Sequence, residues 1–204
     1  MARLRPERCG VGLPKRRLLL ASLAGLGWFR LSGSALAQSA AHPNTLRIIQ
    51  EGTQTLVFQF SLNLPQVLHQ LLSPAVAFAA FLQTHTAMPP DAWASALQKA
   101  QARLAANGVL TLPGGKPLRL QSWQWPTADA IAQTLRAQEL LLHLPEAARP
   151  HLDPVLLQAR LQTPQPTTQS QLQLPAALHP IEVSIKNDTF WLTHQIPLAR
   201  VNLQ

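Results

Sequence analysis

The histidine side chains are the most plausible metal ligands in this 204-residue sequence. There are seven of them, and the single cysteine, Cys9, lies near the N terminus, outside the predicted exported domain. Imidazoles without thiolates suit copper, nickel or zinc. No two histidines are separated by two or four positions. A metal site would therefore have to be assembled by the fold, and the alternative is that these are scattered surface or loop histidines.

His42 has the most specific route to a metal ion. If processing left His42 at the N terminus, its amine and imidazole would form a chelate that suits Cu(II). Pro43 has no N–H, so its nitrogen cannot become a further ligand and a second side chain is needed. We predict His194, because the last hairpin is expected to lie near the first strand. The alternative is cleavage after Ala37, which would leave His42 as an ordinary loop residue.

Trp123 and Trp125 are the candidate partner-binding residues. They share one face of a predicted strand at 118–125, alongside Arg119 and Gln121. Large aromatic side chains anchor many protein interfaces when they are exposed. The alternative is that the two indoles cover a helix or the core.

Catalytic motifs are missing from the sequence. It contains no serine-hydrolase elbow, His-Glu-x-x-His motif, phosphate-binding loop or dinucleotide fingerprint. The acidic residues after residue 41 are spread singly, so no carboxylate pair is nominated for acid–base chemistry. We therefore expect that this protein is not an enzyme.

Residues 1–41 are predicted to be a signal peptide. The basic run at 15–17 precedes an apolar run at 18–29 and the small-residue segment at 35–37. Arg16 and Arg17 suit the twin-arginine route, with general secretion as the alternative. This segment carries a net +6 of the formal +8 charge, so the charge indicates targeting and we expect no nucleic-acid partner. Residues 42–204 then form a single periplasmic or otherwise exported domain, without a transmembrane segment.

The pattern after residue 42 predicts a hairpin first. Runs at 46–50 and 54–64 flank Gly52, and Leu56, Phe58, Phe60 and Leu62 alternate with more polar residues in the second run. Proline cannot donate to a sheet ladder, so we expect Pro65 to end that strand.

Helices and further strands follow the hairpin. Residues 67–72 and 75–82 are predicted to be short helices or buried packing segments, and a longer helix is predicted at 91–107 with Asp91 as its cap. Residues 127–137 favour a helix, and 138–144 could be a strand. Hairpins are expected around 113–117 and around Asn187-Asp188, with a strand at 155–162 and a surface loop at 163–173. The predicted class is α+β or mainly β, an antiparallel sandwich-like sheet with a helical insertion.

This order of features resembles the N-terminal extramembrane domain of HupE/UreJ-like proteins. The similar pieces are His42-Pro43, the strand pair before Pro65 and Leu68, the helix from Asp91 and the hairpin at 113–117, over about residues 42–200. The resemblance implies accessory work linked to nickel hydrogenase or urease. Members usually carry transmembrane helices after this domain, and the sequence reaches residue 204 without them, so a transport role is not expected.

Two functions are consistent with these patterns. The first is a non-catalytic periplasmic domain that binds an envelope or membrane protein through Trp123 and Trp125. The alternative is a periplasmic protein that binds or delivers copper or nickel through His42 and His194.

Overall fold

The computed structural model describes residues 43–164, 169–186 and 188–203. The predicted signal peptide and His42 lie outside these residues. Within the described ranges, the strands are β1 (Asn44–Glu51), β2 (Thr55–Leu62), β3 (Val109–Thr111), β4 (Pro117–Arg119), β5 (Gln121–Gln124), β6 (Val155–Gln162), β7 (Gln169–Gln173), β8 (Ile181–Ile185), β9 (Asp188–Leu192) and β10 (Leu198–Asn202). The helices are α1 (Leu64–Leu72), α2 (Phe78–Thr86), α3 (Pro90–Asn107) and α4 (Ala128–Leu142), with 3-10 turns at Glu146–Ala148 and Ala176–Leu178.

The described strands form two sheets. A six-stranded sheet has the order β5-β6-β2-β1-β8-β9, and a four-stranded sheet has the order β10-β7-β3-β4. Neighbouring strands are antiparallel except for β1 and β8, which are parallel. Helices α1 to α3 follow the first hairpin directly. The predicted α+β class, with mostly antiparallel sheets and an inserted helical region, is confirmed.

The first hairpin places one face of the six-stranded sheet in the core. Leu56, Phe58, Phe60 and Leu62 are at most 3 % exposed, whereas Gln59 between them is exposed. This alternation is expected of a strand buried on one face, but it is incomplete here because Val57 on the opposite face is also fully buried. The turn depends on Gly52, whose φ of +73° is a conformation that side chains rarely adopt.

Two predicted strand boundaries were wrong. Strand β2 ends at Leu62, and Pro65 lies in the first turn of α1. That position favours proline, because its fixed φ suits a helix and its missing N–H would be unpaired there anyway. The predicted strand at 118–125 is also two strands, since the chain leaves the four-stranded sheet after Arg119 and enters the six-stranded sheet at Gln121.

The longer helices were predicted in part. The apolar face of α3 is buried as expected through Trp93, Leu97, Ala100 and Leu104, but the residue before its first turn is Pro89 and not a capping Asp91. Helix α4 continues to Leu142, so the strand alternative for 138–144 was wrong. The expected loop at 163–173 was also wrong in part, because its last five residues form β7.

One hydrophobic cluster joins both sheets and the helices. It includes the inward residues of β1, β2, β6 and β8, the buried faces of α1, α3 and α4, and Leu110, Leu172 and Val201 from the four-stranded sheet. None of the helices in the described ranges is long and apolar enough to cross a membrane.

Candidate functional site

The start of β1 lies beside the segment that leads into β8. Asn44 pairs with Ile181 in the parallel ladder, and the Asn44 Nδ2 atom donates to the Leu178 carbonyl at 3.0 Å. The Asn44 Oδ1 atom accepts from the backbone N–H of Asn63 at 2.9 Å. This side chain therefore ties the first strand to the residue that directly precedes His179.

His179 is a buried histidine without a hydrogen-bonded ring. Its side chain is 8 % exposed, and neither Nδ1 nor Nε2 has a hydrogen-bond partner among the described residues. Its backbone N–H donates to the Ala176 carbonyl at 3.0 Å, which closes the 3-10 turn. The backbone is therefore held, while both ring nitrogens remain free to accept or donate.

His194 lies against His179. The ring centroids are 5.5 Å apart and the ring planes meet at 61°. His194 belongs to a tight turn in which Thr193 and Ile196 exchange two backbone hydrogen bonds of 3.1 Å. The Thr193 hydroxyl also accepts from the Ile196 N–H at 3.1 Å. These bonds hold an exposed histidine in position over the buried one.

The surroundings of His179 favour its uncharged form. Burial lowers the pKa of His179, and the neighbouring His194 lowers this pKa further by charge repulsion. An uncharged imidazole keeps a lone pair on one ring nitrogen, and this uncharged form is the one that binds a metal ion.

The register of the last hairpin explains why these two histidines meet. Ile181 pairs with Leu192 and Ile185 pairs with Asp188, so positions 179 and 194 are opposite each other just beyond the ladder. The predicted turn is centred at Asn187-Asp188, although Asp188 is the first residue of β9. That small shift in register concealed the pairing of His179 with His194.

Of the two predicted metal ligands, His42 and His194, the structure describes only His194. His194 contacts His179, which was not among the predicted ligands, and His42 lies outside the described residues. The described part of the chain contains no group of three or more histidine, cysteine, aspartate or glutamate side chains that could together hold a metal ion.

The two candidate tryptophans lie on the core side of the sheet edge. Trp123 stacks on Phe60 with centroids 5.3 Å apart, and its Nε1 atom donates to the Leu120 carbonyl at 3.2 Å. The Trp125 ring is 6.4 Å from Trp123, and both side chains are partly buried against the core. Trp123 thus has a packing role, while Trp125 also borders a surface cleft.

This cleft lies at the β5–β6 edge of the six-stranded sheet. It has a volume of about 420 Å³, and its lining includes Trp125, Pro126, Leu156 and Gln158. Leu156 is 72 % exposed, although it is a large apolar side chain. The residues that line the cleft carry no ionisable or nucleophilic side chain.

Two arginines share the outer face of the sheet with Leu156. Arg47 pairs with Gln59, Gln59 pairs with Gln158, and Arg160 follows Gln158 by two positions on β6. Side chains two positions apart point to the same face of a strand. Both arginines are exposed next to the cleft glutamines Gln59 and Gln158, and the same outer face also carries Glu51 and Glu182.

Comparison with known proteins assigns no function to the His179–His194 pair or to the cleft. A scan against models of known protein families finds no match, and a search of curated proteins finds no similar sequence. The resemblance to HupE/UreJ-like domains stays a prediction.

Proposed function

We propose that this chain is a non-catalytic exported domain that binds an envelope or membrane protein through the outer face of its six-stranded sheet. The observation that carries the proposal is the exposure of Leu156 beside the cleft bordered by Trp125. We name the outer face together with the cleft at its edge the docking surface, with Arg47, Leu156 and Arg160 on the face and Trp125 at the edge.

Apolar contact with Leu156 and Trp125 favours binding at the docking surface. Burying a leucine side chain that is left in water contributes about 1.5–3 kcal/mol. Trp125 is partly buried against the core, which restricts the conformations that its side chain can adopt. When a partner side chain binds in the cleft against Trp125 and Leu156, few side chains of this domain would have to become ordered. A small loss of conformational entropy favours affinity.

Charge defines the chemistry of the partner. Arg47 and Arg160 are exposed on the same outer face, separated by the amides of Gln59 and Gln158. Arginine binds carboxylates with paired hydrogen bonds, and complementary charge speeds association. The partner segment is therefore expected to combine carboxylates with one apolar anchor.

The lining of the cleft supports binding over catalysis. Its polar side chains are glutamines, which neither exchange protons nor act as nucleophiles at neutral pH. Amides and aromatic rings are common components of interfaces. A protein segment thus fits the cleft better than a reacting substrate does.

Site-directed photo-crosslinking in living cells tests the docking surface. A photo-reactive residue in place of Leu156 should give a discrete adduct with a protein of the envelope fraction, and R160E in the same chain should abolish that adduct. The matched control carries the photo-reactive residue at Gln173, an exposed position on β7 of the other sheet. Equal adducts at 156 and 173, or an adduct that survives R160E, would reject the docking surface.

Export is tested separately by fractionation and N-terminal sequencing. The proposal expects a shortened chain in the periplasmic fraction, and the Arg16-Arg17 pair changed to Lys-Lys should block export only if the twin-arginine route is used. Cytoplasmic protein that retains Met1 would show that the proposed compartment is wrong.

A further inference from the structure

The buried ring of His179 requires a physical explanation. A polar group removed from water without a hydrogen bond costs about 1–3 kcal/mol, so such groups are rare in folded proteins. Here both ring nitrogens lack a partner among the described residues. A hydrogen-bonded water molecule or a metal ion bound to a ring nitrogen would each compensate this cost.

The neighbouring histidine supplies the second ligand. A metal ion lies about 2.0–2.1 Å from each imidazole nitrogen, which puts two ring centroids roughly 5–5.5 Å apart in a tetrahedral site. The observed separation of His179 and His194 is 5.5 Å. Two rings in edge-to-face contact without a metal ion have the same spacing, so the distance permits a shared ion. The unpaired ring nitrogens of His179 favour one.

Both ligands are held by structure that does not depend on a metal ion. The Asn44 side chain and the 3-10 turn hold the backbone around His179, and the doubly bonded Thr193–Ile196 turn holds His194. The antiparallel ladder from Ile181–Leu192 to Ile185–Asp188 fixes the register between the two segments. Such preorganisation lowers the entropic cost of closing a metal site.

We infer that His179 and His194 bind one divalent transition-metal ion, with water or a further side chain completing its coordination. Imidazoles in the absence of thiolates suit Cu(II), Zn(II) and Ni(II), and the general affinity order places Cu(II) first. The site lies outside the docking surface and does not depend on the proposed partner. It keeps His194 from the predicted combination with His42 and adds His179, which is in contact with His194 in the fold.

Isothermal calorimetry of the full chain with CuCl₂, ZnCl₂ and NiCl₂ in turn tests the site. We expect one ion per chain, with Cu(II) bound most tightly. H194A should weaken Cu(II) binding by at least about 100-fold, because even indirect partners of a metal ligand contribute about 10–100-fold. H143A is the matched control, since His143 is an exposed histidine at the end of α4. H143A should leave the affinity unchanged.

The central variant is H194A because it changes an exposed turn residue, so the fold is expected to survive the substitution. H179Q provides a second variant that keeps a polar side chain in the buried position. Electron paramagnetic resonance of the Cu(II) complex should show coupling to two imidazole nitrogens in the natural chain and to one in H194A. Absence of binding by all three ions, unchanged affinity in H194A, or equal weakening in H143A would each overturn the inference.

Discussion

His69 and His179 are equally buried but have different environments. Their exposed fractions are 7 % and 8 %. The His69 Nε2 atom donates to the Val76 carbonyl at 2.6 Å, and its ring lies 5.4 Å from the Phe78 ring and 5.2 Å from the Phe81 ring. His179 makes no side-chain hydrogen bond with the described residues and faces His194 instead.

This comparison separates a structural histidine from a candidate ligand. His69 links α1 to the segment that leads into α2, and only its Nδ1 atom lacks a partner among the described residues. Its hydrogen bond and aromatic contacts account for its position. His179 has burial without such compensation, so its chemistry is available for an ion. Burial alone therefore does not distinguish the two histidines, whereas the hydrogen-bond partners of their ring nitrogens do.

The largest expected difference is in stabilisation by metal. An ion that binds only the folded chain at 100 times its dissociation constant stabilises it by about 2.7 kcal/mol. Thermal unfolding with CuCl₂ should show this gain for the natural chain and for H69L, but not for H179L. A gain that persists in H179L would place the bound ion elsewhere.

The next difference is in the stability of the metal-free chain. H69L should cost about 1–2 kcal/mol because it removes a hydrogen bond across two segments. H179L should leave the free energy of unfolding unchanged or raise it by up to about 1 kcal/mol, since it removes an unpaired buried polar group. Urea unfolding in the presence of a chelator measures both values. Equal losses in the two variants would show that the two environments are equivalent.

The smallest expected effect concerns His42. Two peptide units of about 3.8 Å each separate this residue from Asn44, whose side chain bonds to the residue before His179. We expect H42A to weaken Cu(II) binding to the exported chain about tenfold, which is about 1.4 kcal/mol. Calorimetry of the purified exported protein measures this change. Unchanged affinity would make His42 an ordinary residue before β1 and would leave the pair of His179 and His194 intact.

Local patterns in the sequence accounted for the elements with one clearly apolar face. The alternation from Leu56 to Leu62 predicted a half-buried strand, and the spacing from Trp93 to Leu104 predicted the buried face of α3. In both cases the period of the side chains along the backbone matches the geometry of the element. His194 was also selected from the sequence, through the expected position of the last hairpin near the first strand.

The tertiary structure decided which polar segments became strands and which histidines met. β7 reads as a polar loop, yet it pairs with β3 and β10 and buries Ser170 and Leu172. The contact of His179 with His194 required the register of β8 and β9, and a shift of one position in that register reverses the face of every side chain. Periodicity is a property of one segment, whereas pairing and burial depend on neighbours that are distant in the chain. The sequence by itself therefore determined the faces of β2 and α3, and only the packed fold determined the environment of His179.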